Sequence, residues 1–491
     1  MIADTAEPHP PGTAKRAVAI PLAVLTVAAG VLRFSTLDLQ SYWLDETFTA
    51  IFTGRDLDGL LSGVADAEST PPLYYLLAWV WAQVFGTGEV GLRSLSALLG
   101  TATVPVAYLA GAALLSRRAG LIAAAMVAVS PLMVWYSQEA RAYALLALLG
   151  AVCLWLFVRA LDDPQPRRLL AWGVVAALAV LTHYYALFLV APMAIWLLVR
   201  AGPTRWVVVA VAVPVVVAAA LAPLALAQHE HGGASAVSAE PLGERIEAAA
   251  RKFLTGEYGG PVGGLTHLAA LLALTAVLLL IARATPAVRR RAAIAAGLGA
   301  FAVVAPLIAA LAGADYFTSR YLLAAWLPLA LVCAAGMATP GRLGPLVAVL
   351  LCGVLLAISV AVPLDPDLQR DDWRSMAEAL ERPPEARAIV VAPYPGFVPL
   401  DFYLAGASRP PAGEATLREV AVLSLTRDPD GVRVRSPAPG FREVERLRRP
   451  SYTLVRFRSA RPAELDEEDF GGVVANVDRP GLLLQRPGAP Q

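Results

Sequence analysis

Long apolar blocks separated by short polar breaks occupy most of the chain. They fall near 16–35, 71–85, 93–115, 119–136, 140–160, 168–182, 184–200, 206–227, 263–282, 292–313, 320–338 and 343–362. At 1.5 Å per helical residue, about 20 apolar residues cross a hydrocarbon core of about 30 Å. The pattern predicts a mostly α polytopic transmembrane helical bundle of about 11–13 spans. After Pro363 the pattern changes. Charged residues and proline become frequent, and short apolar runs at Ala388-Ile389-Val390-Val391, Val420-Ala421-Val422-Leu423 and Tyr452-Thr453-Leu454-Val455 predict strands. The expected organisation is a polar tail over 1–15, a transmembrane module over 16–362 with outer loops at 36–70 and 228–262, and a small soluble α/β domain over 363–491.

Composition agrees with the pattern. Of the 491 residues 57% are hydrophobic and 16% charged, against about 25% charged in an ordinary soluble domain. A net charge of +1 disfavours nucleic acid as a partner. Cys153, Cys333 and Cys352 all lie in apolar blocks and form no CxxC, so neither a disulfide framework nor a thiolate zinc site is expected. The first apolar run, after Lys15-Arg16, is too long for a signal-peptide core and reads as an uncleaved span.

Basic clusters test the topology. With Lys15-Arg16 inside, a full crossing by 71–85 would put Arg117-Arg118, Arg167-Arg168 and Arg289-Arg290-Arg291 outside. If 71–85, which opens with Pro71-Pro72, is juxtamembrane or re-entrant, all three clusters fall inside, with Arg200 to Arg205 and Arg342. The second arrangement gives about eleven true spans, a cytoplasmic N-terminus and an external C-terminal domain. It also brings the unusual polar groups to the outer face.

The first of these groups is the pair Asp45 and Glu46, just past the first span. Adjacent carboxylates in a half-buried cleft can tune a general base, with the neighbour orienting it or holding a metal. A solvated loop, or acids capping a short helix, explains them equally. Arg141, within Tyr136-Ser137-Gln138-Glu139-Ala140-Arg141-Ala142-Tyr143, suits a lipid-linked phosphate, unless Glu139 simply neutralises it. Arg320 is a second phosphate candidate, or a snorkelling anchor. Arg93 is placed to meet the acidic loop or to act as a topological charge. His183-Tyr184-Tyr185 sits at a span boundary, where His and Tyr suit a sugar or metal site and Tyr also suits an interfacial belt. Glu257-Tyr258 is a candidate acceptor site. His229-Glu230-His231 invites a metal, but lacks the i, i+4 spacing that puts two ligands on one helix face, and Gly232-Gly233 beside it suggests a mobile loop. Gly86-Thr87-Gly88-Glu89-Val90-Gly91 matches G-x-G-x-x-G, yet links two membrane-type helices and reads as a turn rather than a dinucleotide loop.

In order along the chain, Trp43-Leu44-Asp45-Glu46, Pro71-Pro72-Leu73-Tyr74-Tyr75, Leu92-Arg93-Ser94-Leu95-Ser96, Tyr136 to Tyr143 and Ser319-Arg320-Tyr321 resemble the bacterial GT-C glycosyltransferases. That group includes protein O-mannosyltransferase-like and aminoarabinose-transferase-like enzymes, and the resemblance covers roughly 16–340. It implies an inverting hexosyl- or pentosyltransferase, mannosyl transfer included, in the plasma membrane of the cell envelope with its active site extracytoplasmic. The donor would be a polyprenyl-phosphate-linked sugar, and the acceptor a glycan, lipid or protein. By resemblance Asp45 with Glu46 is catalytic; Arg141, Arg320 and Tyr136 bind the donor phosphate; Arg93, His183, Tyr184 and Glu257 bind substrate. The resemblance implies no certain cofactor and allows a divalent metal. Two departures stand out: Thr70-Pro71-Pro72 replaces the His-Pro-Pro of many relatives, and the acid that some carry just after the Ala-Arg pair is replaced by neutral residues around Tyr143. A polytopic lipid or sugar transporter is the alternative. Neither clear internal repeats nor mid-span charges support it.

Overall fold

The computed structural model describes residues 11–230, 237, 240–257, 263–404, 407–408, 415–426, 431–465, 468–475 and 479–487. The chain forms two compact units: Met1–Leu37 with Phe52–Val362, and Asp38–Ile51 with Pro363–Gln491.

The first unit is helical. Among the described residues, seven helices are long and apolar enough to cross a bilayer: Glu89–Leu114, Tyr143–Asp162, Tyr184–Ala201, Arg205–Glu230, Gly264–Arg283, Pro286–Leu311 and Leu343–Leu364. Val18–Phe34, Leu73–Phe85 and Tyr321–Met337 are shorter apolar helices. The block at 119–136 is a bent pair, Arg117–Val129 and Pro131–Ser137, with 57° between them. Pro131 disfavours helix at Ser130, and the Ser130 hydroxyl accepts from the Met133 N–H to start the second piece. Leu73–Phe85 has 13 residues. At about 20 Å it is shorter than the hydrocarbon core, which agrees with a non-crossing 71–85.

Close packing rests on small residues, as is usual between membrane helices. A Cβ at Gly111 would stand 2.8 Å from the Cα of Gly120, so Glu89–Leu114 and Arg117–Val129 touch backbone to backbone. On Val18–Phe34, Ile20, Val24, Val27 and Val31 form an exposed apolar stripe suited to acyl chains.

The second unit carries a six-stranded sheet, made of β1 (Arg387–Ala392), β2 (Ala407–Ser408), β3 (Ala415–Leu425), β4 (Phe441–Arg448), β5 (Tyr452–Leu465) and β6 (Gly481–Gln485). The order is β2-β6-β1-β3-β5-β4. The β1–β3 pair is parallel and the others antiparallel. Both faces of its centre are covered: Val390, Val422, Val455 and Leu484 on one side, Ile389, Val391, Leu423 and Leu454 with Trp373, Met376 and Leu400 on the other. That is why the three predicted strands read as continuous apolar runs rather than alternating ones.

The segment 38–51 belongs to this unit. Trp373 N–H donates to the Ser41 hydroxyl at 2.9 Å, Tyr42 N–H to the Tyr403 hydroxyl at 2.7 Å, and Arg370 N–H to the Gln40 side chain at 2.9 Å. Among the described residues, 36–70 holds the helices Leu44–Thr53 and Leu57–Ala67, and 228–262 holds Leu242–Thr255.

Candidate active site

The acid pair opens the helix Leu44–Thr53, with both carboxylates in its first turn, where the helix dipole favours negative charge. The two side chains differ in setting. Glu46 is fully buried, and Arg370 donates to its Oε2 at 3.0 Å. Trp43 N–H also donates to Oε2, at 3.5 Å, and the Arg370 guanidinium lies 5.5 Å from the centre of the Trp43 ring. Asp45 is only half-buried. The buried acid is thus tied into the unit, and its neighbour is the more accessible of the two.

In the helical unit, the segment Tyr136–Arg141 is held by reciprocal capping. The guanidinium of Arg33 is fully buried and donates to the Ala29, Val127 and Ala128 carbonyls and to the Ser137 hydroxyl at 2.9–3.1 Å. It therefore satisfies carbonyls at the end of Arg117–Val129, where the helix has no partners of its own. In return the Gln138 amide donates to the Leu32 and Arg33 carbonyls at 3.2 and 3.1 Å, closing the end of the first helix.

Arg141 follows this clamp. It forms a buried bidentate pair with Glu68, 2.5 and 2.7 Å, and its guanidinium lies 5.6 Å from the centre of the Tyr75 ring. Tyr75 is itself buried and hydrogen-bonded to the Thr70 hydroxyl at 3.1 Å. Thr70-Pro71-Pro72 thus supports the wall beside Arg141. Glu139 accepts from the Trp135 indole at 2.9 Å.

Arg141 and Arg320 both act electrostatically on the buried imidazole of His183. Arg320 stacks against the next ring, Tyr321, at 5.5 Å. Tyr321 lies 4.9 Å from His183, and Tyr143 lies 4.9 Å from Tyr136. Tyr136 donates to Glu257 at 2.9 Å, and Lys252 pairs with the same carboxylate. Tyr184 donates to Gln228 at 2.8 Å; the Gln228 amide in turn donates to the Val64 and Thr70 carbonyls at 2.9 and 3.2 Å. Tyr136, Arg141, His183, Tyr184, Glu257 and Arg320 therefore form one linked neighbourhood. Arg93 is buried and donates to the Leu37 carbonyl at 2.8 Å.

Glu68, Gln228, Lys252 and Tyr316 are the members the sequence did not single out. The Ser-Thr-Pro-Pro context hid Glu68. Gln228 ends a long apolar helix, and Lys252 lies on a charged amphipathic helix inside what reads as a loop. Tyr316 hydrogen-bonds the Nδ1 of His229 at 2.5 Å. His231, Gly232, Gly233 and Tyr258 lie outside the described residues. Among the described residues no three His, Cys, Asp or Glu side chains group closely enough to hold a metal ion.

Residues 69–227 match the family model described as dolichyl-phosphate-mannose-protein mannosyltransferase. That stretch contains Thr70, Arg93, Arg141, His183 and Tyr184. The whole fold is similar to the crystal structures of ArnT from Cupriavidus metallidurans, one bound to undecaprenyl phosphate and one apo. Each gives a TM-score of 0.53 at 14% identity over 90% of this chain and 98% of the other. The chain shares its fold with ArnT. A cryo-EM structure of the arabinofuranosyltransferase AftD from Mycobacteria also aligns with this chain, with 17% identity and a TM-score of 0.47, over 90% of this chain and 40% of the other. No curated protein matches it in sequence.

Proposed function

We propose that this protein is a GT-C-type glycosyltransferase that moves a sugar from a polyprenyl-phosphate carrier to an acceptor hydroxyl at the extracytoplasmic face, with inversion. The observation that carries the reading is a pair of fixed arginines: Arg141, held on Glu68, and Arg320, over the Tyr321 ring that lies 4.9 Å from the buried His183 imidazole. Such fixed positive charge beside membrane spans suits a lipid-linked phosphate.

The acceptor oxygen attacks the anomeric carbon as the bond from that carbon to the phosphate oxygen breaks. The carrier phosphate leaves with the electron pair, and Arg320 and Arg141 stabilise its charge, so no acid is needed to protonate it. Asp45 takes the acceptor proton. The accessible carboxylate suits that role better than Glu46, which is buried on Arg370; Glu46 is the positioning residue beside it. Tyr136 with Glu257 supports the phosphate end, and Arg93 and Tyr184 hold the walls of the substrate site. ArnT's undecaprenyl phosphate and the mannosyltransferase family match support the choice of carrier.

Asp45→Asn, assayed in membranes with a defined polyprenyl-phosphate sugar and acceptor, should lower kcat by about 10²–10⁴-fold, the usual worth of a general base. Unchanged turnover would remove Asp45 from the mechanism. Arg320→Ala should raise the donor KM.

A further inference from the structure

His183 carries a proton that nothing among the described residues receives. Its imidazole is 1% exposed. Nδ1 accepts the Tyr185 backbone N–H at 3.2 Å, so its lone pair is used and that nitrogen is unprotonated. A neutral ring then bears its one hydrogen on Nε2. Among the described residues Nε2 has no hydrogen-bond partner. A buried donor without an acceptor is costly. The same proton leaves Nε2 no lone pair for a metal ion, so the missing partner is an oxygen.

His183 lines a cavity of about 280 Å³, at the small end of ligand pockets, which start near about 300 Å³. That suits one sugar ring rather than an isoprenoid chain. Tyr184, Tyr185, Tyr316 and Tyr321 supply flat faces for the C–H side of a ring, and Gln228 and Ser69 add polar edges. No lining residue is a carboxylate. The lining therefore offers a cationic ring no counter-ion of its own, and Arg141, beside the Tyr75 ring, is already paired with Glu68.

We infer that this cavity receives the uncharged sugar ring of the donor, with His183 Nε2–H donating to one of its hydroxyl oxygens. The Tyr321 ring, centred 4.9 Å from the imidazole, lines the same cavity. The inference rests on the polyprenyl-phosphate reading above and narrows it to neutral sugars, against a cationic amino sugar.

The test is binding by the full-length protein in lipid nanodiscs. The probes are undecaprenyl phosphate and its mannosyl, glucosyl, galactosyl and aminoarabinosyl derivatives. At least one neutral-sugar lipid should bind about tenfold tighter than undecaprenyl phosphate, the worth of one good hydrogen bond with its ring contacts. The aminoarabinosyl lipid should show no such gain. His183→Phe should abolish the gain and leave undecaprenyl phosphate affinity unchanged. A gain that survives His183→Phe, an equal gain for the amino sugar, or an equal loss for the bare lipid overturns the inference. If every lipid phosphate binds alike, the inference fails and the carrier reading stands; if none binds, both fail. One readout needs no variant. In ¹⁵N-histidine spectra of the native protein, His183 should be neutral with its proton on Nε2, and a ring protonated at Nδ1 would overturn the assignment.

Discussion

Arg141 shows how a residue changes meaning once its neighbours are known. In the sequence it is an arginine beside Glu139. In the fold its fork grips Glu68, 73 positions earlier, with both side chains almost wholly buried. Removing one partner of such a pair strands a charge. Glu68→Ala should therefore cost about 3–5 kcal/mol, read as a lower melting temperature in detergent; an unchanged melt would mean that water reaches the site. Glu46 is the parallel case. Its pairing with Arg370 separates two adjacent acids that the sequence presents as equivalent.

At the scale of elements, the break at Ser130-Pro131 is decisive. It turns one apolar block into two helices bent by 57° and brings Tyr136–Arg141 out of the span. The bend is packed tightly: a Cβ at Gly100 would lie 1.9 Å from the Ser137 Oγ. In an exposed helix Gly→Ala is worth about 1 kcal/mol of stability. Here the sign should reverse, and Gly100→Ala should lower both the melting temperature and turnover. In the sheet, Glu419 on β3 is buried between Arg387 and Arg458, at 3.1 and 2.6 Å. Burial alone would raise its pKa, but the two guanidiniums outweigh it and hold the carboxyl below its ordinary value of 4.5. A depressed folded-state pKa contributes stability above the unfolded value and loses it as pH falls through the folded one. Unfolding of the C-terminal unit should thus become easier below about pH 4.5, and Glu419→Gln should flatten that acid limb in a pH series of melting curves.

For the whole molecule, the positive-inside rule applied to the arginine clusters predicts the orientation. A reporter fused after Arg118 should be cytoplasmic and one after Pro363 external; an external Arg118 fusion would reverse the arrangement and the face assigned to the chemistry. The apolar periodicity determined the helical bundle, its approximate block boundaries and the change of class at Pro363, because a bilayer demands a length of apolar helix that little else in a chain imitates. The strands at 388–391, 420–423 and 452–455 were legible for a related reason, since a sheet covered on both faces leaves unbroken apolar runs. The candidate residues Arg141, His183 and Arg320 were visible as polar groups at span ends. Their partners were not. Glu68, Gln228 and Lys252 carry no local signal, and 38–51 joins residues more than 300 positions away. Only the tertiary structure decided which acid is buried, which carboxylate holds Arg141 and which nitrogen of His183 lacks a partner. Such pairings depend on distances that sequence order does not encode, whereas burial in a bilayer or a sheet is written into the chain residue by residue.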